Sequence, residues 1–242
     1  LMFDVNTDPW NPIYLGKFDN YYLHDGYARN NILYGGAVNN GFLVVLDVTI
    51  KTSPQVLGTK VTPNQFTHNC WLSDDGNTVF TTDEVSGAYI AAYDIRNLAN
   101  ITELNKLRSL PGTGVIPHNV HVKDDFLITS YYTRGAHVVD AEYPDLMIEV
   151  GYYDTSPLFS RTGYHGAWGA YPFLPSGVIL ITDMEEGLYT LTFDNKRGTR
   201  LKGYVIDSLT GVPIVQADIE LLVKSKSIKS DVNGEFKYGF EA

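Results

Sequence analysis

A chain of 242 residues, 44% hydrophobic and 13% aromatic, is long enough to bury one β domain or one and a half. Its formal charge of −10 argues against nucleic acid or anionic membrane as a partner, because phosphate binding needs clustered Lys and Arg. The lone Cys70 excludes an intrachain disulfide, and no stretch is long and apolar enough to span a bilayer as a helix.

In chain order, Met2-Phe3-Asp4-Val5 and Tyr14-Leu15-Gly16 read as two short strands. Residues 22–61 then spell out a four-strand unit. Strands are predicted near His24–Arg29, at Ile32–Val38, at Gly41–Thr49 and at Gln55–Val61. Turn-formers separate them at Arg29-Asn30-Asn31, Asn39-Asn40-Gly41 and Ser53-Pro54. The unit then repeats. His24-Asp25, His68-Asn69, His118-Asn119 and His165-Gly166 open successive copies, the histidines 44, 50 and 47 positions apart. Each leads into an apolar, Thr-rich run (Val79-Phe80-Thr81-Thr82, Leu127-Ile128-Thr129-Ser130, Ile179-Leu180-Ile181-Thr182), and a glycine restarts the chain at Gly41, Gly87, Gly135 and Gly187. Self-similarity at this period, without a helical pattern, marks a β-propeller blade of four strands.

The first strands match the second half of a blade, and the last unit, Gly163 to Asp194, supplies only three. The expectation is therefore an all-β partial propeller, with about three complete four-stranded blades and two incomplete ones over residues 1–195. A further propeller segment, from the same precursor or another chain, is expected to complete the ring. Asn195–Thr199 is the expected linker. Short alternating strands follow over residues 200–242 and predict a small, cut-short β-sandwich module.

Third strands such as Phe42-Leu43-Val44-Val45-Leu46-Asp47, with the Asp/Pro-rich Asp4–Pro12 and the repeated His openings, resemble LVIVD-repeat propellers, and more narrowly the secreted choice-of-anchor B proteins of bacteria. The tail, Gly203-Tyr204-Val205-Ile206-Asp207 through Asp231-Val232-Asn233-Gly234-Glu235-Phe236, resembles a carboxypeptidase-regulatory-like module, a prealbumin-like β-sandwich. The resemblances imply an extracellular or outer-surface location in a Gram-negative, Bacteroidota-type cell. They bring no established catalytic activity.

A residue that recurs at the start of each innermost strand lies near the propeller axis. His24, His68, His118 and His165 are thus candidate ligands of a divalent metal in the channel. The same pattern also fits histidines that serve as hydrogen-bonded bridges between blades. His121 is expected on the face of His118, where it could extend such a site. Asp25, Asn69 and Asn119 follow the histidines, and Asp83-Glu84, Tyr131-Tyr132 and Asp183 close the second strands. With Trp168 they are candidates for a ligand-binding face. No nucleophile elbow and no phosphate-binding glycine loop is present, so no catalytic residue is assigned. Three functions fit these features: a cell-surface module binding a glycan, matrix component or protein; a metal-dependent oxidoreductase or hydrolase using the histidine ring; and a structural piece of a surface assembly.

Overall fold

The computed structural model describes residues 1–158, 162–222 and 226–241. A short antiparallel pair, β1 (Met2–Asp4) and β2 (Ile13–Gly16), comes first. Three four-stranded antiparallel sheets follow, each in sequential order. The first holds β3 (Gly26–Arg29), β4 (Ile32–Ala37), β5 (Phe42–Asp47) and β6 (Gln55–Val61). The second holds β7 (Thr67–Leu72), β8 (Thr78–Asp83), β9 (Ile90–Asp94) and β10 (Thr102–Leu107). The third holds β11 (Val120–Lys123), β12 (Phe126–Ser130), β13 (Ala136–Asp140) and β14 (Ile148–Tyr153). A three-stranded sheet of β15 (Ala167–Tyr171), β16 (Ile179–Asp183) and β17 (Gly187–Leu191) completes the series. The chain is an all-β propeller, and the strands expected for residues 22–61 are present with their ends trimmed.

The blade turns follow their residues. Asn30-Asn31 and Asp124-Asp125 adopt positive φ at both central positions, the geometry whose twist matches the flanking strands. Gly135 is required twice over. Its φ is +84°, and a Cβ there would lie 2.0 Å from the Tyr153 carbonyl oxygen.

The central strands of the first three blades are buried on both faces, which explains why they read as continuous apolar runs, whereas the fourth blade buries only the face toward the third. Leu43 and Val45 pack with Cys70, Leu72, Val79, Ala91 and Tyr93 of the second blade. Their neighbours Val44 and Leu46 face Met2, Phe18, Tyr21 and Leu23 on the other side. The alternation continues around the ring: Phe80 and Ala92 meet Leu127 and Val139, while Phe126, Ile128 and Val138 meet Ala170, Ile179 and Ile181. Cys70 is fully buried, and burial pushes its thiol pKa far up, so it behaves as a small apolar side chain.

The segment after blade four is strapped back to blade three. Buried Asp140 accepts from Arg197 Nη1 at 2.9 Å, Gly198 N at 2.9 Å and Arg200 Nη1 at 2.8 Å. Beyond it, β18 (Thr199–Tyr204) pairs with β21 (Glu235–Phe240), and β19 (Asp218–Leu221) with β20 (Lys226–Lys229). Lys202 and Lys237 both reach Asp145, which anchors this part of the chain against the third blade.

A second polar cluster locks the third blade to the loop that precedes it. Glu149 accepts from His137 Nε2 at 2.9 Å, Ser109 Oγ at 3.0 Å and Arg134 Nη2 at 2.8 Å. Burial opposes ionisation of Glu149, but the hydrogen bond from His137 and the charges of His137 and Arg134 outweigh it and hold the carboxyl at about 2. A depressed carboxylate pKa stabilises the fold above its unfolded value and loses that contribution as pH falls toward the folded one. Urea unfolding should therefore show on the order of 2 kcal/mol lost between pH 4.5 and about 2, the interval set by these two values. Glu149→Gln should be less stable at neutral pH and should lose most of that acid limb; an unchanged limb would refute the assignment.

Candidate functional site

Five rings run in a strip across the inner ends of the blades. Tyr22 lies 6.1 Å from His24, His24 4.3 Å from His68, His68 4.5 Å from His118, and His118 4.5 Å from Trp168, all between ring centroids. The ends of the strip are open, with Tyr22 58% and Trp168 50% exposed, whereas His68 and His118 are buried. Three of the four expected histidines are therefore brought together.

The fourth is not. His165 is exposed and pairs through Nδ1 with Glu185 Oε1 at 2.9 Å. Strand register gives the reason. In the second blade a bulge isolates His68, between the pairs Thr67–Asp83 and Asn69–Thr82. In the fourth blade the matching bulge isolates Trp168, between Ala167–Asp183 and Gly169–Thr182. Trp168-Gly169 is thus the structural equivalent of His68-Asn69, three residues beyond His165-Gly166. The sequence held a usable signal: 15 positions separate His68 from Asp83 and also Trp168 from Asp183.

The residues that follow the histidines build a relay between blades. Asn69 donates from Nδ2 to Asp25 Oδ2 at 2.8 Å, and its Oδ1 accepts from Val120 N at 3.0 Å. One amide thereby joins three successive inner strands. Asn119 has no such relay, and its Oδ1 is buried with no hydrogen-bond partner among the described residues. Among the described residues, the bridge expected of the imidazoles themselves is formed by His118, whose Nδ1 donates to the Trp168 carbonyl, while the His118 backbone in turn acts on the His68 ring. Between the first two blades a glycine permits close approach: a Cβ on Gly36 would lie 2.6 Å from the carbonyl oxygens of both Thr67 and His68.

Asp83 and Asp183 are structural. Asp83 accepts from Thr62 Oγ1 at 2.6 Å, Asn64 N at 2.7 Å and Phe66 N at 3.3 Å, while burial pushes its carboxyl up. Asp183 accepts from Ser156 Oγ at 2.7 Å and from the amides of Glu185 and Glu186. Tyr131 is fully buried, with its hydroxyl donating to Ala88 O at 3.3 Å, and burial raises its pKa. These three do not face the strip. Nor does His121, whose ring sits 4.6 Å from Trp71 and 5.8 Å from Phe173. Three residues separate it from His118, an odd number, so strand alternation sends it to the other face.

The side chains that face the strip are instead one position further on, Glu84 and Tyr132. Glu84 Oε2 is 3.5 Å from His68 Nε2, and Oε1 is 3.7 Å from His118 Nε2. Tyr132 donates its hydroxyl to Glu84 Oε1. Tyr164 lies across from Tyr132 at 5.3 Å and donates to the Glu84 carbonyl at 3.3 Å. Burial and then the neighbouring His118 and His24 rings push His68 down to about 3. Burial also lowers His118, against the Trp168 carbonyl. Both imidazoles are neutral at pH 7, and Tyr132 stays protonated because burial and the Glu84 carboxylate raise its pKa. The site is a half-buried carboxylate held among uncharged rings.

The larger cavities lie elsewhere. One groove of about 360 Å³ runs between blades three and four, lined mainly by apolar side chains such as Ile128, Val138, Val150, Ile179, Leu191 and Phe193.

Among solved structures, the computationally designed protein Ika4 is similar at a TM-score of 0.53 and 12% identity, over 73% of this chain and 94% of that one. The periplasmic gluconolactonase PpgL of Pseudomonas aeruginosa is similar at 0.55 and 12%, over 90% of this chain and 56% of that one. The WD40 propeller domain of Doa1 matches at 0.50 and 12%, over 73% and 53%. The chain thus spans little more than half the length of the latter two. No protein-family model matches the chain. No curated protein matches it either. At these identities the likeness defines a class by fold, the β-propellers.

Asn69→Ala should leave the Val120 amide and Asp25 without their partner in a buried setting and cost about 1–3 kcal/mol in urea unfolding. A loss below a few tenths of a kcal/mol would show that the relay does not hold the inner strands together.

Proposed function

We propose that this chain is a propeller binding module exposed at the outer surface of a Gram-negative cell, and that it holds a glycan at the axial mouth where the ring strip surfaces. The observation that carries this reading is the strip itself. Its exposed ends, Tyr22 and Trp168, offer flat apolar faces, and the Glu84 carboxylate between them offers acceptor oxygens. Sugar rings present C–H faces that pack on aromatic planes and hydroxyls that donate to carboxylates. The net charge of −10 fits a neutral or cationic ligand better than an anionic one. The surface location is supported by the resemblance of the blades and tail to exported propeller and sandwich modules. On this reading residues 200–242 serve as spacer or attachment.

Isothermal titration of the chain against sugars selected on a neutral-glycan array tests the reading. Trp168→Ala should weaken binding about tenfold or more, with the far-ultraviolet circular dichroism unchanged. No glycan bound, or binding undiminished in both Trp168→Ala and Tyr22→Ala, would overturn it in favour of a protein partner on another face.

A further inference from the structure

We propose that His68, Glu84 and His118 form a three-ligand site for a divalent transition metal, with a fourth position open toward the mouth. One ligand atom from each of the three residues can be chosen so that all lie within 4.8 Å of one another. The Nε2 atoms stand 3.5 and 3.7 Å from the two oxygens of Glu84. Those separations are long for hydrogen bonds. They are close to the spacing of about 3.4 Å between two atoms that each sit about 2.1 Å from one tetrahedral ion. Both Nε2 atoms approach the carboxylate, while the two imidazole rings pack against each other at 4.5 Å between centroids.

The supporting contacts are those that a metal site requires. A ligating imidazole is oriented by a hydrogen bond from its other nitrogen, and a ligating carboxylate by a donor to one oxygen. His118 Nδ1 is held by the Trp168 carbonyl, which commits Nε2 to present a lone pair. Tyr132 holds Glu84 Oε1, leaving Oε2 toward His68. His68 Nδ1 is buried without a well-formed hydrogen bond among the described residues, the His118 backbone acts on the ring, and Nε2 is left to face Glu84. Glu84 has no Lys or Arg among the described ion pairs, only these two imidazoles. A carboxylate so placed lacks the positive charge that an ion supplies.

Two imidazoles with one carboxylate select zinc, cobalt, iron or copper over calcium and magnesium, which favour all-oxygen shells. His24 lies against His68 at a tilt of 47° but stays exposed, with Nδ1 3.4 Å from Tyr22 OH, and His165 pairs with Glu185. Neither joins the group, so the ring of four reduces to two histidines and an acid. The site does not rest on the glycan reading, and its test contains no sugar.

The test is titration of the metal-stripped 242-residue chain with CoCl2, followed by visible d–d absorption and calorimetry, with ZnSO4 as competitor. One Co2+ per chain, displaced by Zn2+, is expected. Glu84→Gln keeps the acceptor for Tyr132 and the side-chain volume, and should weaken binding at least about 100-fold, as should His68→Ala. Tyr132→Phe should weaken it about tenfold, and His165→Ala should leave it unchanged. Absence of saturable Co2+ binding by the wild-type chain overturns the proposal. So does binding that survives Glu84→Gln or disappears with His165→Ala. Circular dichroism reports folding of each variant, and the isosteric Glu84→Gln decides the matter if His68→Ala fails to fold.

Discussion

The rest of this propeller depends on packing blade against blade, which buries the central strands of the first three blades on both faces. A sheet that is dry on two sides must fill them with alternate residues of one strand, as Val44 and Val45 or Val138 and Val139 do. Only the strand ends remain for polar groups, and at the axis those ends crowd together. Buried polar atoms there need partners, which the chain supplies from one blade to the next. Asn69 ties Asp25 to Val120, the Thr82 hydroxyl reaches the His118 carbonyl at 2.5 Å, and Tyr132 pairs backbone to backbone with Ala167. Side-chain packing closes the blades, and these bonds fix how far each inner strand advances toward the centre.

That constraint separates two roles that the repeat had fused. A histidine retained as a structural bridge would have its nitrogens satisfied by backbone. The bridging is done mainly by the residue after it, Asp25 or Asn69, and by His118 through Nδ1 alone. His68 Nδ1 makes no well-formed hydrogen bond among the described residues, although the His118 backbone acts on the ring, and its Nε2 stands 3.5 Å from a carboxylate oxygen. A buried imidazole in that state costs the fold stability, because water would have satisfied both nitrogens. The same site is where Glu84, Tyr132 and Trp168 converge.

Much of the fold was legible in the sequence because blades repeat their punctuation. The strands of residues 22–61 are nearly where turn residues and apolar runs place them, and the three-strand count of the last unit holds. The site was legible only in part. His24, His68 and His118 meet because they share one register position, but aligning copies by the letter His moved the fourth blade by three residues. Register is set by pairing with the next strand, so Asp83 and Asp183 were the better anchors and Trp168 the true counterpart. Glu84 and Tyr132 stayed hidden behind Asp83 and Tyr131. Alternation puts adjacent residues on opposite sides of a strand end, and composition does not say which side meets the axis.

Replacing the fourth histidine by tryptophan changes what the centre can do. Trp168 covers His118 with a ring that is half in solvent, while its carbonyl takes up the Nδ1 proton. The opposite end is open as well, at exposed His24 and Tyr22. Ligand atoms therefore sit deep, at His68, Glu84 and His118, and apolar planes sit at the rim, on two sides of one entrance.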